Sequence, residues 1–385
     1  MATTKVIPAV LDLNESTSES GLKMPSGTEL NRPTAVAGQI RDNTNETSEG
    51  SASCMEYYKS GAWQKINNVA LPIEFGISLY SGNGSSQSIT GLGFQPDWLW
   101  FKCRNTGGTD HNTSDTSRGV MQGLNPNTDA AGGNQSPLGV TSFDSDGFTV
   151  NDNSGGGAGV NGSSKTYVTW AWRLNGGTTS SNGDGDITST VQVNAGAGIS
   201  ITTYQNNGSN SARVGHGLGT TPKVVLIKKY STTGAWHFMT TQIDGSFDDL
   251  ILNTDAVKSD SALTAPTSTT FAAESGGSGE DMICFAFAEI SGYSKFGTYS
   301  GTGSTNPITG LGFQPQWVML KCTSATEDWA IFDASRGANT FLVANSSGAE
   351  QSFSGFSFDS DGFTVPGLSG MTNGSGQTYI YMAFK

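Results

Sequence analysis

The sequence predicts an all-β chain in which an N-terminal extended arm and hairpin are followed by three β-sandwich repeats. Three observations carry this. Glycine supplies 52 of the 385 residues while hydrophobic residues make up only 35%, a turn-rich composition. The apolar residues fall in short runs of strand length, bounded by Gly, Pro, Asn and Ser, with no capped helical stretch longer than about three turns. Finally, one unit recurs along the chain.

The recurrence is clearest between the first and last units. Leu92-Gly93-Phe94-Gln95-Pro96-Asp97-Trp98 returns as Leu311-Gly312-Phe313-Gln314-Pro315-Gln316-Trp317. Phe143-Asp144-Ser145-Asp146-Gly147-Phe148-Thr149-Val150 returns letter for letter from Phe358 to Val365. A more diverged copy lies between them, with Gly217-Leu218-Gly219, Pro222, the apolar run around Val224 to Ile227, and Trp236 where the last unit has Trp329. Each unit closes on an apolar strand: Tyr167 to Trp172, Ile283 to Ala288, and Tyr379 to Phe384.

Taken in order, residues 1–72 read as an extended arm for trimerisation. Within it a hairpin is expected from about Gly38–Arg41 and Met55–Tyr58, with a turn at Ser60-Gly61. A two-stranded hairpin is marginal alone, which points to sister chains and a homotrimer. Residues 73–175 form the first sandwich. The Gly/Ser/Asn-rich segment 176–194 reads as a flexible linker. Residues 195–291 and 292–385 form the second and third sandwiches. The three are expected to project as a quasi-linear stack.

The formal net charge is −13, with no basic stripe, so nucleic acid is not an expected partner. Four cysteines without a C-x-x-C pair, each near an apolar run, read as buried thiols. The N-terminal residues lead into no long apolar segment. Membrane insertion is therefore not expected, and the chain is expected to be made and folded in a cytoplasm.

Two stretches carry a family resemblance. One is the arm, with Pro25-x-Gly27, Arg32-Pro33, Gly38-x-Ile40-Arg41-x-Asn43-Thr44 and Glu56-Tyr57-Tyr58-x-x-Gly61-x-Trp63. The other is Ala195-Gly196-x-Gly198-Ile199-Ser200-Ile201-x-Thr203-Tyr204 with Val214-Gly215-His216-Gly217-Leu218-Gly219 and Pro222-Lys223. Together they resemble tailed-bacteriophage virion proteins of the tail-fibre type, particularly those of marine and cyanobacterial phages. The resemblance implies a homotrimer located on the virion. It would bind tail or capsid proteins through residues 1–72 and display domains toward host-surface glycans.

Four residues are candidates for ligand binding. Trp236 and Trp329 lie on or beside loops, where aromatic rings stack on sugars, or else close the sandwich core. Arg118 and Arg336, each three residues after an Asp, either pin their loops or present a guanidinium to a sugar or carboxylate. Asp144-x-Asp146-Gly147 and Asp359-x-Asp361-Gly362 read as hairpin turns, with calcium as the alternative. The histidines His111, His216 and His237 lack metal-ligand spacing, so no metal is expected. No cofactor and no catalytic residue is expected. Asp248-Asp249 and Glu280-Asp281 are the acid pairs a glycan-cleaving enzyme would draw on. The expected function is a phage tail fibre. A capsid decoration or head-fibre protein is the alternative, and a polysaccharide depolymerase the third reading.

Overall fold

The computed structural model describes residues 74–152, 159–274, 276–367 and 369–385, together with the paired strands of an N-terminal segment. The chain divides into two compact units, Met1–Pro72 and Ile73–Lys385. In the first, Ser26–Gly27 pairs in parallel with Ile40–Asn43, which pairs antiparallel with Cys54–Lys59, which pairs in turn with Ala62–Ile66. The remainder of the expected arm lies outside the described residues.

Among its described residues the second unit is all β apart from one helical turn at Gly370–Asn373. It contains three lobes, each a large sheet facing a small one. In the first lobe Phe75–Ser81, Thr166–Trp172, Trp98–Cys103 and Asn112–Asp115 make the large sheet in that order. Gly139–Asp144, Gly147–Asn151 and Gln87–Thr90 make the small one. The third lobe repeats this with Ser294–Ser300, Thr378–Phe384, Trp317–Cys322 and Trp329–Asp333, extended by Thr340–Val343 and Gln351–Ser352. Its small sheet is Asn306–Thr309, Gly362–Val365 and Ser357–Asp359.

The second lobe has the widest sheet. Ile199–Gln205, Asp281–Phe287, Val224–Lys229 and Trp236–Thr240 are its counterparts of the four strands above. Asp248–Ile251 and Ser259–Asp260 extend one side. Ser180–Asn182 and Ser189–Asn194 extend the other. The segment 176–194 is thus not the flexible linker its composition suggests. Asp97 explains its first turn: the buried carboxylate accepts the backbone N–H groups of Leu174, Gly176 and Gly177 at 2.7, 3.0 and 2.8 Å. A buried carboxylate held by several amides fixes the chain that carries them.

The large sheets are apolar on both faces because both are covered. In Trp98–Cys103, Leu99 and Phe101 face the small sheet of their own lobe with Val140, Phe148 and Val150. The alternate residues Trp98 and Trp100 face the other way, into a core shared with Val224 and Leu226 of the second lobe and Trp317 and Met319 of the third. Aromatic rings bridge the lobes there. Trp98 stacks on Phe285 at 4.5 Å between centroids, Trp172 meets Trp317 at 5.9 Å, and Phe287 meets Phe384 at 6.1 Å. The lobes therefore surround one common core. They do not form the quasi-linear stack expected from the order of repeats.

The arrangement closes on itself as a ring. At the seam between first and second lobes, Trp236 Nε1 donates to Asn125 O at 3.0 Å, Lys228 Nζ to Asp129 O at 3.0 Å, and Gly132 N to Tyr230 O at 2.8 Å. Between second and third, Trp329 Nε1 donates to Ile251 O at 3.2 Å, Lys321 Nζ to Asp255 O at 3.1 Å, and Lys258 N to Thr323 O at 3.0 Å. Between third and first, His111 Nε2 lies 3.0 Å from Val343 O, Lys102 Nζ donates to Ser347 O at 3.0 Å, and Glu350 N to Arg104 O at 2.8 Å. The same positions do the same work at every seam, so each lobe uses one surface toward the next and another toward the last. Such head-to-tail contacts form a ring when the rotation closes; here it closes within one chain.

Candidate functional site

The four residues singled out for ligand binding lie in these seams. Trp236 and Trp329 are fully buried, with their indole N–H groups spent on the neighbouring lobe. They are seam residues and offer no face to a sugar. The backbone N–H of each is held by an asparagine, Asn253 for Trp236 and Asn345 for Trp329. Asn127 does the same for His111, the residue that stands in their place in the first lobe.

Arg118 and Arg336 likewise present no free guanidinium. Arg118 Nε donates to Asp115 Oδ2 at 2.6 Å, its backbone N to Asp115 Oδ1 at 2.9 Å, and its Cζ lies 5.8 Å from the ring centre of Tyr230 in the second lobe. Arg336 pairs with Asp333, donates from Nη2 to Ile331 O at 3.0 Å, and lies 5.7 Å from the ring centre of Trp170 in the first lobe. Asp333 Oδ2 also accepts the Trp170 indole N–H at 3.0 Å. The arginines pin loops across seams, consistent with the strength of a charge-assisted pair in a desolvated setting.

The three seam lysines were not singled out by sequence reasoning. Lys102, Lys228 and Lys321 have no exposed surface, and burial pushes each down to about 8. Carbonyl oxygens surround each ammonium. Lys321 Nζ donates to Cys322 O and Glu327 O at 2.7 and 2.8 Å besides Asp255 O. The available signal was a lysine at one fixed place in each fully apolar strand.

His111 is wholly buried. Trp100 Nε1 donates to its Nδ1 at 2.9 Å, which makes Nε2 the N–H that donates to Val343 O. Burial and nearby Lys102 push its pKa well below the ordinary histidine range. Burial likewise lowers His216, whose Nδ1 accepts Leu218 N. Burial opposes charge on His237 too, but Asp249 at 2.9 Å and Glu274 at 3.6 Å outweigh it and raise its pKa.

The Asp-Gly motifs are hairpin turns with Ser145-Asp146 and Ser360-Asp361 as the loop residues, since Asp144 pairs with Gly147 and Asp359 with Gly362. Asp146 accepts Gly91 N and Gly93 N at 3.0 and 2.6 Å; Asp361 accepts Gly310 N and Gly312 N at 3.0 and 2.7 Å. These carboxylates tie the hairpin to the Gly-Leu-Gly loop. The glycine is required by close approach: a Cβ on Gly147 or Gly362 would lie 1.9 Å from the carbonyl oxygen of Ile89 or Ile308.

The acid pairs separate. Asp248 is buried beside Lys258, whose ammonium also reaches Asp244 and Asp260 at 2.6 and 2.9 Å. That lysine sits among the three carboxylates of the one cluster of metal-binding type among the described residues. Asp249 holds His237, and Glu280 holds Lys229 at 3.3 Å. Asp281 differs from the rest. It lies in an open, polar groove of about 310 Å³ with Thr188, Thr190, Thr203, Gln205 and Tyr230.

Fold and site define an all-β protein whose three homologous lobes close into one ring about an aromatic core. The family comparison agrees in extent: a single family model, Domain of unknown function (DUF7483), matches residues 74–385. The chain belongs to this family, whose unit spans all three lobes together. No curated protein and no solved structure matches the chain.

Proposed function

We propose that the chain is a structural protein of a phage particle, a homotrimeric tail fibre attached through residues 1–72, whose lobed body binds host-surface glycans. It acts as a scaffold and binder, without catalysis. The observation that carries this reading is the arm sequence, Gly38-x-Ile40-Arg41-x-Asn43-Thr44 through Trp63, set before a body of repeated sandwiches. The body supports it physically. Its charged and aromatic seam residues are committed to holding three lobes together, as suits a rigid display element. Weak single sites would gain avidity from several copies.

Immunogold electron microscopy of virions, with antibody against residues 74–385, tests the reading. Gold at the tail is the expected result. Gold over the capsid overturns the fibre in favour of a decoration protein, and no gold on the particle overturns both. Release of reducing ends from host envelope glycans by the purified chain would overturn the assignment as a binder without catalysis.

A further inference from the structure

The groove at Asp281 lies where the ring departs from its own symmetry. In the first and third lobes the strands Phe75–Ser81 and Ser294–Ser300 are the outermost of their large sheets. In the second lobe the equivalent strand, Ile199–Gln205, carries two more beyond it, Ser189–Asn194 and Ser180–Asn182. None of the three repeated seam contacts draws on these two strands.

Along the axis-facing side of this sheet, Ile199, Ile201, Phe285 and Phe287 are covered by the common core. The same face then turns polar. Thr190 lies opposite Thr203, and Gln205 lies opposite Asp281. Gln205 Nε2 donates to Asp281 Oδ1 at 3.2 Å. Tyr230 follows on the next strand, with its backbone N bonded to Asp281 O at 2.9 Å. Next to the groove the first lobe makes contact, where Thr116 and Ser117 each donate a hydroxyl to Gln192 at 2.9 Å and Arg118 sits beside the Tyr230 ring.

We infer that this groove is a binding site for a short neutral oligosaccharide, an inference that rests on the glycan-binding reading above. Its lining supplies hydroxyls that both donate and accept, an amide, one carboxylate acceptor and one aromatic ring. That set matches the hydroxyl groups at the rim of pyranose rings, each of which both donates and accepts. The lining has almost no apolar surface for a lipid. It contains no basic side chain for a phosphate or sulfate, and the neighbouring Arg118 is already paired with Asp115. The row crosses four adjacent strands, roughly 14 Å at the spacing of a sheet, about the length of a trisaccharide. Thr188, Thr190 and Gln205 are exposed, so the strip is open to a ligand without rearrangement.

The test uses the full chain and the double variant Thr190→Val, Thr203→Val, near-isosteric changes that remove two facing hydroxyls. Both are applied to a printed array of neutral and anionic oligosaccharides and, separately, to intact host cells. An unchanged thermal transition shows that the variant folds. Wild-type binding confined to neutral glycans, reduced at least fivefold in the variant, is the expected result. Binding to no neutral glycan, or binding that the variant leaves intact, overturns the groove. Cell coating that is equal for both proteins overturns the groove and leaves the fibre reading standing. Array binding without cell coating does the reverse.

Discussion

His111 gives the ring an acid-sensitive seam whose size can be worked out from its contacts. The imidazole accepts from Trp100 through Nδ1 and donates to Val343 of the third lobe through Nε2. Protonation would set an N–H against the Trp100 N–H and place a charge in a site without solvent. The folded pKa therefore lies below the unfolded value of about 6.5. A base whose folded pKa is depressed contributes its full stability above the unfolded pKa, and loses it as pH falls toward the folded one. The loss is at most about 1.4 kcal/mol per pH unit below the unfolded pKa and continues until the folded pKa is reached. His111→Gln keeps an acceptor and a donor but does not titrate. The assay is urea unfolding of wild type and variant at pH 7.5 and 4.5, followed by tryptophan fluorescence. The stability difference between the two proteins should shift in the variant's favour at the lower pH, by no more than about 2.7 kcal/mol. His237, which titrates in the opposite sense, is present in both proteins and cancels. A difference that stays constant between the two pH values would refute the reasoning.

Other outcomes follow from the same contacts. Trp329→Phe removes the indole donor that joins the third lobe to the Ile251 carbonyl, which keeps its Thr254 donors, and should cost about 0.5–1.5 kcal/mol, measured by denaturant midpoint. Asp97→Ala frees the amides of Leu174, Gly176 and Gly177 and should raise hydrogen exchange across 174–182 by at least tenfold; unchanged exchange would sink the account of that turn. Gly362→Ala forces a Cβ against the Ile308 carbonyl and should destabilise by at least about 2 kcal/mol, whereas Gly310→Ala, with nothing within 4 Å, meets no steric contact and should cost less. Burial holds Lys102, Lys228 and Lys321 near 8, so between about pH 8 and 10.5 the unfolded chain binds more protons and these groups make stability rise with pH; a Lys321→Met variant should show a shallower rise.

The sequence made the fold class legible because strand periodicity and the repeated Phe-Asp-x-Asp-Gly-Phe hairpin are local signals. Trp98 and Trp100 alternating with Leu99 and Phe101 are compatible with a strand buried on one or both faces. What covers the second face is not a local property. A sheet roofed by its own lobe and one roofed by two neighbouring lobes carry the same pattern, so the closed ring was not visible. The 176–194 segment misled for a related reason: Ser180–Asn182 is polar because it is an exposed strand, and composition alone does not separate such a strand from a linker. Trp236, Trp329, Arg118 and Arg336 read from sequence as either ligand-binding or structural, and the choice was not legible because their partners come from other lobes far along the chain. Two readable signals went unused. A lysine interrupts each apolar strand at one place, and an asparagine follows each Leu124, Leu250 and Leu342 by three residues to hold the seam residue opposite. The groove was not readable, because Thr190, Thr203 and Asp281 meet only through sheet register.

The closed ring is tested most directly by small-angle X-ray scattering of residues 73–385, the second compact unit. Three lobes around one core should give a radius of gyration of roughly 20 Å, the value for a compact domain of this length. Three sandwiches strung end to end would give about 28 Å, taking each as a compact domain of about 100 residues. A measured value near the first, with a single-peaked distance distribution, is what the ring requires. A value near the second, with separate inter-lobe peaks, would contradict it.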